Sequence, residues 1–245
     1  MAMLSNVRIV LVETTHPGNI GAAARAMKTM AMDRLYLVRP KIFPHAEATA
    51  RASGADDLLA KAQVCGDLVQ ALAGCRLVVG TSARHRAVDW PALWPRQAAE
   101  ILVAEAALGP VALVFGRESS GLSNEELELC QYLVHIPTQA DFNSLNVASA
   151  VQILAYECHL ASLGEQSGGV ADERPLAGAD LLDGLHQHLT ATLRQIQFAH
   201  PQQSEKLLRR LRRLFNRARL DLDEINILRG ILTKIQQRVG TPSGQ

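Results

Sequence analysis

Short apolar runs recur through the first 160 positions, at Val7–Val12, Leu35–Val38, Arg76–Val79, Val111–Phe115 and Tyr132–Ile136. They are rich in valine, leucine and isoleucine and do not alternate with polar residues. That pattern predicts strands covered on both faces, as in a mostly parallel sheet. The intervening segments Asn19–Met30, Ala46–Ser53, Leu68–Ala73, Gln97–Leu108 and Glu125–Cys130 suit crossover helices, and a further helix is expected over Leu145–Ser162. Strand and helix in turn predict a doubly wound α/β domain. Some helix starts carry chemical marks. Ser123 and Glu126 have capping-box spacing, while Asn19 and Asn143 are placed as N-caps.

The pattern changes after position 162. Leu163–Gly178 is rich in Gly, Ser, Pro and acids and reads as a linker. Beyond it, Ala179–Ala199, Gln203–Arg217 and Leu222–Arg238 space their apolar residues as helices do, exemplified by Leu207, Leu208, Leu211, Leu214 and Phe215. The expected organisation is an α/β domain over 1–162, a linker over 163–178 and a small helical domain over 179–245.

Composition sharpens this division. The net charge of +1 is uninformative, but its distribution is not. Residues 1–170 hold 13 basic and 16 acidic groups, whereas 204–238 hold 10 basic and 4 acidic. Concentrated positive charge in one helical segment points to a polyanion. In Leu207–Arg219 the basic residues Arg209, Arg210, Arg212 and Arg213 are candidate RNA contacts, because the planar guanidinium matches phosphate. The cysteines Cys65, Cys75, Cys130 and Cys158 form no C-x-x-C pair, so neither a zinc site nor a disulfide framework is expected. No run approaches the roughly 18 apolar residues of a membrane span. A cytoplasmic protein is expected.

Candidate chemistry gathers where strands end. His16–Arg25, Leu113–Leu122 and Ile136–Val147 each place glycines or small polar residues between an apolar strand and a helix, the position at which open α/β sheets bind ligands. Gly116 and Gly121 have P-loop spacing, but Leu122 stands where the lysine should follow, and Gly18 and Gly21 do not make G-x-G-x-x-G. The loops carry little charge suited to a triphosphate. Exposed amides in two adjacent loops suit a neutral or zwitterionic nucleoside.

Asn19-Ile-Gly-Ala-Ala-Ala-Arg25, Phe115-Gly-Arg-Glu-Ser-Ser-Gly-Leu122 and Ile136-Pro137 with Asn143-Ser-Leu-Asn146 resemble the three motifs of the knotted RNA methyltransferases of the SPOUT superfamily. Thr81-Ser-Ala-Arg-His-Arg86 and Ala26-Met-Lys-Thr-Met30 are similar to the subgroup that methylates the ribose 2′-hydroxyl of nucleotide 32 in the tRNA anticodon loop. The resemblance covers residues 6–160, and the tail by character only. It implies an α/β fold with a mostly parallel sheet and a deep trefoil knot, working as a homodimer on the tRNA anticodon stem-loop, not on DNA or at a membrane. The implied cofactor is S-adenosylmethionine, against Thr81, Ser82, Ala83, Gly116, Ile136, Asn143, Ser144 and Leu145. Arg25 is the implied catalytic residue. Because a guanidinium stays protonated, gripping phosphate and stabilising an alkoxide suit it better than acting as a base. Arg84 and Arg86 are expected to contact RNA, and no metal is implied. His16 and Glu118 are weaker candidates, Glu118 being placed to pair with Arg117. Phe142 and Asn143 stand where close relatives often carry tyrosine and serine. A ribosomal RNA methylase, or a catalytically silent RNA-binding protein on the same fold, remains an alternative.

Overall fold

A computed structural model describes residues 3–82, 92–139, 144–164, 176–200 and 204–240. Seven strands, β1 (Val7–Val12), β2 (Arg34–Val38), β3 (Gln63–Cys65), β4 (Leu77–Thr81), β5 (Ala92–Leu93), β6 (Val111–Phe115) and β7 (Tyr132–Val134), form one sheet among the described residues. Their order is β3-β2-β1-β6-β4-β7-β5, and every pairing is parallel. The helices of this part are α1 (Pro17–Thr29), α2 (Ala46–Ala52), α3 (Asp56–Lys61), α4 (Leu68–Leu72), α5 (Pro95–Ala106), α6 (Asn124–Leu127) and α7 (Val147–Gly164). In the helical part, α8 (Ala179–Gln195), α9 (Glu205–Ala218) and α10 (Leu222–Gly240) follow.

The central strands are apolar because both sheet faces are covered. All five residues of β6 are buried, as are all of β1 except Arg8. Ile20, Ala23, Ala24 and Met27 of α1, Leu102 and Val103 of α5, and Val151, Leu154 and Ala155 of α7 complete one continuous core with them. Arg8 escapes burial of its charge by donating to the carbonyls of Ala71 and Ala73 and lying over the Tyr36 ring. Glycine permits one contact that nothing larger could make: a Cβ on Gly21 would overlap the Ala48 backbone where α1 crosses α2.

Two expectations change. The α1 N-cap is His16 and Pro17 opens the helix, so Asn19 lies inside the first turn and its amide is free for other work. Cap duty before α7 falls to Asn146, whose Oδ1 accepts from Ala148 N at 2.9 Å; Asn143 lies outside the described residues. The Ser123 capping box forms as the spacing predicts, with Ser123 Oγ accepting from Glu126 N and Glu126 Oε2 accepting from Ser123 N.

The chain divides into two compact units, Met1–Asp172 and Glu173–Gln245. The second has its own core of Leu182, Leu185, Leu220, Ile225 and Leu232, with Phe215 packed against it. Its first turn is pinned where Ala177 N donates to Leu220 O at 2.8 Å.

Candidate active site

Parallel pairing brings the carboxyl ends of β4, β6 and β7 to one edge of the sheet. A cleft of about 160 Å³ opens there, its lining including Thr81 and Ser82 after β4, Gly116–Leu122 after β6, and Ile136, Ser144 and Leu145 after β7. The backbone sets its shape. Gly121 N donates to Arg117 O at 2.9 Å and Arg117 N to Gly121 O at 3.2 Å, closing a tight loop. The reversal needs Gly121 at φ +70°, and a Cβ on Gly116 would overlap the backbone of Gly121 and Leu122. On the neighbouring wall, Ser82 N donates to Val134 O, and Ser82 O accepts from His135 Nδ1 at 3.1 Å. Because a carbonyl only accepts, that contact fixes the proton on Nδ1.

The two charged residues of the lining are both committed elsewhere. Arg117 forks onto Glu126 at 2.9 and 3.0 Å and donates Nε to Glu13 at 2.7 Å, and Glu13 also pairs with Arg39. These carboxylates raise the Arg117 pKa, Glu126 most, while the bond from Arg117 holds Glu13 below the ordinary carboxylate range. Glu118 accepts from Thr15 N, Thr15 Oγ1 (2.8 Å), His16 N and Asn19 Nδ2 (3.0 Å). Burial pushes its pKa up, but the bonds from Asn19 and Thr15 and its own backbone outweigh this and leave it lowered. Asn19 in turn accepts from Asn146 Nδ2 at 2.9 Å. One carboxylate and two amides thus join the loops after β1, β6 and β7. The expected Glu118–Arg117 pair gives way to this arrangement because Glu126 and Glu13 already occupy the guanidinium.

Of the expected cofactor residues, Thr81, Ser82, Gly116, Ile136, Ser144 and Leu145 share the cleft lining. Ala83, Asn143, Arg84 and Arg86 lie outside the described residues. Arg25 is exposed on α1, outside the lining, with no hydrogen bond or ion pair among the described residues. In the helical unit, Arg212 Nη2 pairs with Asp183 of α8 and Arg209 Nη2 with Glu205, both at 2.7 Å, whereas Arg210 and Arg213 have no such partner among the described residues. Sequence reasoning undervalued Glu118 and Asn146. Their only advance signal was a carboxylate and an amide within the two glycine-rich or polar turns.

The SpoU rRNA methylase family model matches residues 6–156, most of the α/β unit. The chain belongs to the SpoU methylase family. A second model, that of the tRNA methyltransferase TrmJ C-terminal domain, matches residues 180–244. Among SpoU relatives, the tRNA (cytidine/uridine-2′-O-)-methyltransferase TrmJ of Pectobacterium atrosepticum is 50% identical over 237 residues, spanning 96% of this chain and 98% of its own. The tRNA (cytidine/uridine/adenosine-2′-O-)-methyltransferase TrmJ of Pseudomonas aeruginosa is 49% identical, spanning 96% and 95%. The crystal structure of TrmJ from Z. mobilis ZM4 superposes with a TM-score of 0.82 at 33% identity, covering 94% of this chain and 98% of that one. The cleft-lining residues lie within the range matched by the SpoU model. Among the described residues no helix is long and apolar enough to cross a membrane.

Proposed function

We propose that this chain is an S-adenosylmethionine-dependent methyltransferase that modifies the ribose 2′-hydroxyl of the pyrimidine at position 32 of the tRNA anticodon loop. The observation that carries this reading is the near-full-length match, at 50% identity, to a tRNA (cytidine/uridine-2′-O-)-methyltransferase. The cleft is chemically suited to the cofactor. Arg117 is paired with Glu13 and Glu126, Glu118 is held ionised by hydrogen bonds from neutral donors, and the rest of the lining includes apolar side chains (Ile136, Leu145, Val147) and neutral hydroxyls (Thr81, Ser82, Ser144). Such a lining fits an adenosine and a zwitterionic tail and disfavours a triphosphate.

In this reading Thr81, Ser82, Ala83, Gly116, Ile136, Asn143, Ser144 and Leu145 hold the cofactor, which supplies an electrophilic sulfonium methyl group. Arg25, with no protein partner among the described residues, grips the phosphate beside the target ribose and stabilises the alkoxide that develops on its 2′-oxygen. Arg84 and Arg86 contact the same RNA. The Glu118–Asn19–Asn146 bonds keep the first helix and the two cleft loops in fixed register, so that hydroxyl and cofactor meet in one orientation. The helical unit adds affinity for tRNA through Arg210 and Arg213, whereas Arg209 and Arg212 are held by Glu205 and Asp183. The working form is a cytoplasmic homodimer with the SPOUT trefoil knot, acting on tRNA in preference to duplex DNA.

The test is methyl transfer from labelled S-adenosylmethionine to an unmodified tRNA transcript, read by nucleoside mass spectrometry. Wild type is expected to yield a 2′-O-methylpyrimidine at position 32, and Arg25→Ala to lose at least 100-fold in rate, on the order of removing one charge-stabilising donor. Tight cofactor binding with no methylation of tRNA would overturn the substrate assignment.

A further inference from the structure

We propose that Lys206, Arg210, Arg213 and Arg217 form a linear phosphate-binding stripe on α9 that grips the backbone of a paired RNA stem without reading its bases. The proposal rests on the reading of the chain as a tRNA enzyme and specifies how its helical unit takes the substrate. Counting basic residues in α9 treats its arginines alike, but the fold sorts them. Arg212 turns to α8 and pairs with Asp183, whose other oxygen accepts from Gln187 Nε2. Asn216, buried, meets His186 of α8 at 3.0 Å, and Phe215 packs against the core. Arg209 is tied to Glu205, the one acidic residue of α9. The inner face is thus fixed by positions 212, 215 and 216.

The opposite face carries the other four cations. Their spacing of four, three and four residues confines them to an arc of about 60° at 3.6 residues per turn and spreads them over about 16 Å of helix at 1.5 Å per residue. Lys206, Arg210 and Arg217 are exposed, Arg213 is partly exposed, and none makes a hydrogen bond or ion pair among the described residues. Four cations in a row with no ion pair among the described residues repel one another. A ligand with regularly repeated negative charge relieves that repulsion.

The chemistry of the face selects the ligand. It has no aromatic ring: the only one in α9, Phe215, is turned into the core. Single-stranded RNA is held largely by stacking bases on aromatic side chains. A face of cations alone recognises backbone, and a paired stem presents backbone with its bases sequestered. A membrane surface fits less well. An interfacial helix must bury its apolar side in lipid, and on α9 Phe215 of that side packs against the protein core, with Leu214 its one exposed large apolar residue.

The experiment uses the full chain and measures affinity for an unmodified tRNA transcript and for an unrelated RNA duplex between 50 and 300 mM salt. Each of Arg210→Gln, Arg213→Gln and Arg217→Gln is expected to lower the slope of log affinity against log salt by about 0.7–0.9, and the triple variant by about 2–3. Both RNAs should weaken by the same factor, while the dissociation constant for S-adenosylmethionine stays at the wild-type value. Arg212→Gln, which strands Asp183, should lower the melting temperature and leave the slope of the folded protein unchanged. An unchanged slope in the triple variant overturns the stripe, as does a loss confined to one RNA sequence or an equal slope loss in Arg212→Gln. Failure of the methylation reading shows separately, as absence of product from the wild type, and a stripe that instead serves an acidic protein shows as wild-type RNA affinity in the triple variant.

Discussion

Glu118 draws four donors onto one carboxylate, from Thr15, His16 and Asn19, and those donors decide its chemistry. Hydrogen bonds to the charged form favour ionisation even where burial opposes it. A residue in this state is a fixed anchor, not a proton acceptor for catalysis. Glu118→Gln keeps the shape but replaces one acceptor oxygen with a donor, which confronts the Thr15 and Asn19 donors with another N–H. We expect a stability loss of about 1–3 kcal/mol and at least a tenfold drop in kcat/KM for tRNA, measured by denaturant unfolding and by methyl transfer. Because the folded pKa lies below the ordinary value, the native state holds its proton less tightly than the unfolded chain. The stabilisation is present above the ordinary carboxylate range near pH 4.3 and is lost as pH falls through the folded value; the Gln variant should lack that part of the acid sensitivity. Sequence made Gly116, Gly121 and Ser123 legible, since each answers a local geometric demand. It could not make Glu118 legible, because every side-chain donor to it comes from about a hundred residues away along the chain.

Elements show the same division between local and distant causes. β1 and β6 have the limits their apolar runs predict, because burial on both faces leaves Arg8 as the one polar position inside either strand. β3 and β5 carry no such run. Gln63–Cys65 is an edge strand whose Val64 is 60% exposed, and Ala92–Leu93 contributes two residues, of which Leu93 packs against the core, so each joins the sheet mainly through backbone pairing. The loop after β6 is held between elements by Arg117. Glu13 and Arg39 leave the adjacent strands β1 and β2 at φ 48° and 46°, a left-handed turn that costs a side chain roughly 1–2 kcal/mol. That turn aims Glu13 at both guanidinium groups. Arg117→Met removes the cation and leaves Glu126 and Glu13 facing each other in a partly dry site. Breaking a buried pair costs about 3–5 kcal/mol; with Arg117 at 23% and Glu13 at 29% side-chain exposure, about 2 kcal/mol is the expected loss. Calorimetric binding of S-adenosylmethionine should weaken several-fold, because the Gly116–Gly121 loop loses its external brace. Arg117→Lys should recover only part of both losses, since one ammonium cannot reproduce the forked contact.

At the scale of the whole molecule, two units with separate cores imply separate responses to conditions. In the α/β unit the stabilisation carried by Glu13 and Glu118, whose pKa values are lowered, is lost only below the ordinary carboxylate range. The helical unit contains a different trigger. His186 is buried between α8 and α9, donating to Asn216 Oδ1, with Arg212 and Asp183 of the same cluster nearby and Phe215 at 6.2 Å between ring centroids. Burial lowers its pKa most, with the Arg212 charge acting in the same direction and the Asn216 bond and Asp183 opposing. The folded unit therefore favours the neutral ring, while the unfolded chain takes up a proton near pH 6.5. More protons bind the unfolded state in that window, so stability rises with pH and is lost as pH falls from 6.5 through the folded value. Hydrogen-exchange protection of α8 and α9 amides in the full chain should decline between pH 7 and pH 5 while that of β1 and β6 holds. His186→Gln retains a donor for Asn216 and removes the titration, so its α8 and α9 protection should not decline across that range. An unchanged decline in that variant would place the trigger elsewhere. Such decoupled loss would also let tRNA affinity, carried by the stripe on α9, fall at mildly acidic pH before the cleft of the α/β unit is disturbed.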